Sequence, residues 1–171
     1  AIDWWCLPDF DSSSVFAKLL DKNKGGSFSI EVSNDYTINQ HYIKNTNVLC
    51  TRFSNPNEGE FEILDFMPRY KSEKTGYDTP PDIIRYFSHI SGEPKFKLHY
   101  DPKLEYALHE THTIEDIDYI KSYTTDGEYD SMYLYTDFNK TDVLKGNTIV
   151  LTADAFVLLS YNQKLLKQTI D

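Results

Sequence analysis

Apolar residues along this chain recur mostly at every second position, with short polar turns between the runs. Residues Gly26 to Val32 carry Phe28, Ile30 and Val32 at alternate positions, and Asp35 to Ile43 alternates Tyr36, Ile38, Gln40 and Tyr42. Successive side chains of a strand point to opposite faces, so this alternation predicts half-buried strands. Val48 to Phe53 and Glu60 to Phe66 flank Asn55-Pro56-Asn57-Glu58-Gly59, a cluster of turn formers, and therefore predict a hairpin. Asp82 to Ile90 and Lys95 to Tyr100 flank Ser91-Gly92-Glu93-Pro94 and predict another. Ser131 to Phe138, Thr148 to Thr152 and Ala155 to Tyr161 complete the series.

Between these runs, Tyr70 to Pro81 is polar and ends in two prolines, which reads as a long exposed loop. Helical signal is scarce. Ser12-Ser13-Ser14 is placed to cap a short helix carrying Val15, Phe16, Leu19 and Leu20, and Gln163 to Ile170 predicts the start of a second. The expectation is about ten or eleven strands at the spacing of an antiparallel sandwich. The fold class is thus all-β: a large antiparallel β-sandwich with one or two short helices, with residues 1–171 forming a single domain.

Composition agrees with a strand-rich core. Aromatic residues make up 15% of the chain, with 13 Tyr and 10 Phe, and aromatic side chains favour strands. The net charge of -10 excludes nucleic acid as an expected partner, because phosphate binding needs clustered Lys and Arg. It argues equally against an anionic membrane surface, and no run has the ~18–20 apolar residues of a membrane helix. A neutral partner, a sugar or another protein domain, fits this charge. Cys6 and Cys50 lie in apolar runs, which predicts buried free thiols; a bridge between them requires neighbouring strands. Trp4 and Trp5, the only tryptophans, stand at a chain start, where chains usually fray. The chain is therefore expected to be a piece of a larger protein. No leader pattern is visible, and a cytoplasmic location is expected.

The opening residues also carry a resemblance. Ala1-Ile2-Asp3-Trp4-Trp5-Cys6-Leu7-Pro8-Asp9-Phe10-Asp11-Ser12-Ser13-Ser14-Val15-Phe16-Ala17-Lys18-Leu19-Leu20-Asp21 resembles the N-terminal signature of the bacterial and archaeal family 15 glycoside hydrolases, the glucoamylase, glucodextranase and trehalase-like enzymes. Asn45 to Phe53, Glu60 to Arg69 and Ile83 to Ala107 are similar to the segments that follow, in order and in spacing. Asp9 and Ser13 depart from the signature, where a basic residue and a proline are common. The resemblance implies a supersandwich-like β domain that precedes a helical barrel. It implies that the two catalytic glutamates belong to that barrel, so no catalytic residue is expected in this chain. The implied partner is the chain's own C-terminal catalytic domain, and the implied parent reaction is inverting hydrolysis of α-glucosidic bonds in trehalose or α-glucans. No cofactor is implied.

Residue by residue, little competes with that reading. Glycoside hydrolysis needs two carboxyl groups about 5–10 Å apart across the bond. The acidic clusters Glu115/Asp116/Asp118 and Asp126/Glu128/Asp130 read as solvated turn acids. His109 and His112 lack helical surroundings and a third ligand, so no metal site is expected. Asn139-Lys140-Thr141 is a formal glycosylation sequon. In the opening segment, Trp4 and Trp5 at consecutive strand positions point to opposite faces, and Leu7 to Asp11 leaves the strand as a loop with an apolar tip. Trp5, Pro8, Phe10 and Asp11 are the candidate residues for a sugar pocket or domain interface: an aromatic ring stacks on a sugar face, and a carboxylate accepts strong hydrogen bonds from hydroxyls. The simpler reading is that this loop covers one end of the core. Two other function classes stay open: a free-standing carbohydrate-binding module using Tyr129, Tyr133 and Tyr135 as a platform, and an independent sandwich-fold glycosidase.

Overall fold

A computed structural model describes residues 1–72 and 76–165. Fifteen strands and one α-helix form among the described residues. In chain order they are β1 (Trp5–Cys6), β2 (Ser14–Phe16), β3 (Ser27–Glu31), β4 (Thr37–Tyr42), β5 (Leu49–Asn55), β6 (Gly59–Phe66), β7 (Tyr70–Ser72), β8 (Gly76–Asp78), β9 (Asp82–Gly92), β10 (Lys95–Asp101), β11 (Thr111–Glu115), β12 (Ile120–Thr124), β13 (Ser131–Thr136), α1 (Lys140–Lys145), β14 (Thr148–Val150) and β15 (Ala155–Tyr161). Hydrogen bonding orders them into an eight-stranded antiparallel sheet, β11-β12-β13-β15-β9-β6-β5-β4, a three-stranded sheet, β14-β10-β3, and the pairs β1-β2 and β7-β8. The protein is all-β and sandwich-like, as the two-residue period predicts. Among the described residues no helix is long and apolar enough to cross a membrane.

The chain divides into two compact units. One comprises Glu31–Leu98 and Thr136–Leu158; the other comprises Ala1–Ile30, His99–Tyr135 and the described part of Leu159–Asp171.

The unit centred on β4, β5, β6 and β9 is held by a row of phenylalanines. Phe53 stacks on Phe61 at 4.6 Å, Phe61 on Phe96 at 5.4 Å and Phe96 on Phe87 at 5.2 Å, while Phe138 meets Phe87 and Phe96 edge-on. Phe53, Phe61 and Phe87 come from the adjoining strands β5, β6 and β9, Phe96 comes from β10 in the three-stranded sheet, and Phe138 follows β13, so the row joins rings from both sheets. Across β6 and β9, Asp65 lies opposite Arg85. The Arg85 guanidinium, 3% exposed, donates to both Asp65 carboxylate oxygens, at 2.7 and 3.2 Å.

The expected hairpin over 48–66 forms, with β5 and β6 in continuous register. The one expected over 82–100 does not: β9 pairs with β6, whereas β10 pairs with β14 in the other sheet. The residues between them carry the chain from one sheet to the next. Gly92 faces Gly59, and a Cβ at Gly59 would lie 2.0 Å from the Ser91 carbonyl oxygen, so this crossing point admits glycine alone.

Two further expectations are corrected. Residues 14–16 form β2 rather than a helix, because Ser14, Val15 and Phe16 are all buried, as a three-residue strand paired with β1; Leu19 and Leu20 lie in a turn and are exposed. The loop after Pro68 contains the short β7–β8 hairpin. The sequon at Asn139 begins α1: the Asn139 side chain accepts a hydrogen bond from the Asp142 N–H at 3.1 Å, and Gly146 closes the helix at φ +62°. That is the expected work of asparagine and glycine at helix ends. The helix expected over 163–170 lies for the most part outside the described residues; Gln163 to Leu165 is not helical. Cys6 and Cys50 are free and buried, and burial pushes both thiols up from their ordinary values.

In the same unit, Tyr36 donates to the Glu58 carboxylate at 2.9 Å and accepts from the Lys95 N–H at 3.0 Å. Its burial, with that carboxylate beside it, pushes the phenol up to about 12. A folded-state value above the ordinary one means that the fold holds the proton; the associated stability is intact below pH 10 and is lost as pH rises through about 12. Urea unfolding followed against pH is therefore expected to weaken across that window. Tyr36→Phe should remove this residue's share of the alkaline loss while costing about 1–3 kcal/mol at neutral pH, because the Lys95 N–H loses its acceptor.

Candidate functional site

Of the four candidate residues, Trp5 lies on β1 itself, and Pro8, Phe10 and Asp11 lie on the short connection between β1 and β2. Its two ends are buried: Leu7 is 1% exposed, and Ser14, Val15 and Phe16 follow inside the core. Trp5 is half-buried and stacks on Phe16 at 6.3 Å with the planes 14° apart, while Trp4 faces outward. The expectation of consecutive strand positions is corrected: Trp4 precedes β1, which begins at Trp5. The loop closes on itself through three hydrogen bonds. The Leu7 N–H donates to the Ser13 carbonyl, the Ser12 N–H to the Asp9 carbonyl, and the Asp9 N–H to the Ser12 hydroxyl. Between those ties Pro8, Asp9, Phe10 and Asp11 are exposed, and Phe10 reaches 92%. The loop is anchored at both ends and presents an aromatic ring and two carboxylates outward.

A second segment meets this loop. The Tyr106 hydroxyl donates to the Ser12 carbonyl at 3.0 Å. Tyr106 belongs to the turn Glu105–Ala107, whose three residues have φ of +50°, +57° and +59°. A left-handed turn costs L-residues about 1–2 kcal/mol each, and it persists only where its surroundings determine it. Here Leu104 is fully buried, its N–H donates to the Thr111 hydroxyl, and the Glu128 N–H donates to the Glu105 carboxylate. Gly127, at φ +78°, lies against this turn; a Cβ there would meet the His109 ring at 2.7 Å and the Glu105 carboxylate at 2.8 Å. The outcome is that Tyr106 and Leu108, both exposed, are presented on the segment that is tied to the Phe10 loop. No glycine or asparagine marks Glu105 to Ala107, so nothing in the sequence announces the turn.

Glu115, Asp116 and Asp118 are exposed. Asp126 and Glu128 sit in the turn before β13, and Asp130 accepts from the Tyr161 hydroxyl and the Asn162 amide. His109 lies 3.8 Å from the Glu105 carboxylate, and His112 points to the Thr125 hydroxyl. Among the described residues, no three His, Cys, Asp or Glu side chains gather as metal ligands do.

The trehalase-like, N-terminal family matches residues 1–169 of this chain. The chain belongs to that family. It is 32% identical over 155 residues to a trehalase of Thermoplasma acidophilum, an alignment covering 90% of this chain and 25% of the relative. It is 36% identical over 108 residues to a trehalase of Thermoplasma volcanium, covering 62% of this chain and 17% of the relative. A trehalase of Sulfolobus acidocaldarius, named trehalase 1, is 48% identical over 69 residues, covering 40% of this chain and 12% of the relative. The chain thus spans a quarter or less of the length of these curated relatives. No solved structure matches it.

Within this family member, the tyrosines considered as a sugar platform differ in exposure and contacts. Tyr135 is 3% exposed, and its hydroxyl accepts from the Leu165 N–H at 2.8 Å. Tyr129 and Tyr133 remain accessible, but the Lys121 ammonium lies 5.4 Å from the first ring, 5.6 Å from the second and 5.1 Å from Tyr123. The chain's own cation thus lies over one face of each of these rings. Hydrogen bonding to Tyr129 raises the lysine above its usual range, and a lysine is a cation at neutral pH even without that shift.

Proposed function

We propose that this chain is the non-catalytic β-sandwich part of a longer enzyme that hydrolyses trehalose or a related α-glucoside, and that its Leu7–Ser13 loop faces the catalytic domain beside the sugar pocket. The observation that carries this reading is Phe10, almost wholly exposed at the tip of a loop whose ends are fixed in the core. An aromatic ring left in water forgoes about 2–3 kcal/mol of burial that an opposing apolar surface restores. The neighbouring Tyr106, tied to the same loop, enlarges the surface on offer. Trp5 stacked on Phe16 braces the strand from which the loop springs. Asp11, exposed beside Phe10, supplies a carboxylate able to accept from a sugar hydroxyl.

In such an enzyme the inverting reaction takes place between a general acid and a general base on opposite faces of the sugar, both supplied by the catalytic domain. This chain's contribution is positional: it covers an apolar flank and holds the rim of the pocket. The family match and the small share of each trehalase that the chain spans support a role as one part of a larger hydrolase.

The test is steady-state kinetics of the longer enzyme on trehalose. Asp11→Ala is expected to lower kcat/KM at least about tenfold, the effect of losing one charge-assisted hydrogen bond, and Phe10→Ala should lower it through loosened docking. Wild-type kcat and KM in both variants would refute the assignment of this loop.

A further inference from the structure

Strand β4 forms one edge of the large sheet, and among the described residues it has a neighbour, β5, on one side only. Every second residue of such a strand turns its N–H and C=O away from the sheet, which makes it a template for another strand. Proteins usually blunt these edges with charges, prolines or bulges. Thr37 to Ile43 reads Thr-Ile-Asn-Gln-His-Tyr-Ile, with neither acid, lysine, arginine nor proline. Its pairing with β5 runs through six residues without a register shift, and every residue of the strand is exposed. The opposite edge, β11, is guarded: it ends in Glu115, with Asp116 and Asp118 just beyond.

We propose that β4 is a self-association edge, on which a second copy of this chain adds its own β4 antiparallel, with Gln40 on the two-fold axis. The argument rests on side-chain parity. Ile38 stands opposite Phe53, a core residue, so Ile38, Gln40 and Tyr42 belong to the core-facing side of the sheet and Thr37, Asn39 and His41 to the other. A two-fold axis perpendicular to the sheet keeps each side facing the same way in both copies, so only residues of like parity can stand opposite one another. Centring the axis on Gln40 sets Ile38 against Tyr42 of the second copy, twice by symmetry, and Asn39 against His41 of the second copy. Ile38 and Tyr42 are 56% and 66% exposed, although they lie on the apolar side; this pairing covers each with the other. The strand is flanked by Asp35 and Lys44, so antiparallel pairing directs each acid towards the other copy's lysine. For two chains each carrying a net charge of -10, this uncharged strand is also a place of least repulsion.

Light scattering and sedimentation of the chain across the micromolar range test this. A concentration-dependent shift from one copy to two is expected, with slowed hydrogen exchange at alternate β4 amides in the dimer. Gln40→Lys places two ammonium groups face to face on the axis and should return the protein to a monomer, while Ile114→Lys on β11 should leave the dimer intact. The Gln40 side chain is exposed, and its bond to the Thr51 hydroxyl lies at the surface strand, so circular dichroism of the variant should match the parent; were it not to, the exchange pattern of the parent decides alone. A chain that stays monomeric throughout the range, or a dimer that survives Gln40→Lys with β4 amides unprotected, overturns the proposal.

Discussion

Phe61→Ala is expected to lower the unfolding free energy by about 3–5 kcal/mol, the range for deleting a ring from a packed core. Phe61 is fully buried in the middle of the aromatic row. It stacks on Phe53 and Phe96 and meets Tyr36 edge-on at 6.3 Å. Its removal leaves a void bordered by rings that β5, β6 and β10 hold at fixed spacing, so the walls cannot collapse to fill it. Phe61→Leu keeps more of the volume and should cost markedly less. Phe10→Ala, at a residue almost wholly in water, should leave the stability of this chain within about 0.5 kcal/mol of the parent. Urea unfolding of the three variants measures the contrast. Equal losses at Phe61 and Phe10 would mean that the aromatic row is not what holds this unit together.

A comparable loss is expected from Asp65→Ala. Arg85 is almost completely buried, and Asp65 answers its guanidinium with both carboxylate oxygens. Removing one member of a buried ion pair costs about 3–5 kcal/mol, chiefly because the remaining charge stays out of water without its counter-charge. The same argument has a second consequence. Asp65→Leu combined with Arg85→Leu removes both charges, and that double variant should be more stable than Asp65→Ala alone. A double-mutant cycle read from urea midpoints separates the coupling from the single losses. If Asp65→Ala unfolds at the parent's midpoint, the ion pair contributes nothing and Arg85 is satisfied by other groups.

Much of this fold was legible as local pattern. Phe28 and Ile30, Phe53, Phe61 and Ile63, Phe87, and Phe96 and Leu98 stand at alternate positions of runs that all became strands. The turn formers between Asn55 and Gly59 identified the β5–β6 hairpin correctly. The opening loop was legible too, as an apolar tip between two buried ends. What escaped reading was non-local. Ser91 to Pro94 has the composition of a hairpin turn, yet it carries the chain into another sheet, since β10 finds its partner in β14, some fifty residues on. Phe16 looked helical beside Leu19 and Leu20, but pairing with β1 and stacking on Trp5 made it strand. Tyr106 was invisible as part of the candidate site, because its turn is left-handed without the residues that favour such a turn.

Local pattern was enough for an all-β protein, its main strands, its family and an exposed loop after β1, because alternation of side chains, turn chemistry and signature residues are properties of neighbours along the chain. Only the folded chain settles which strands share a sheet, that Lys121 lies against three tyrosine rings, that Tyr106 is tied to the opening loop, and that β4 lies at an edge. Each of these depends on which distant backbone supplies a hydrogen bond or a packing surface, and a linear pattern records the need for such a partner without saying where it is.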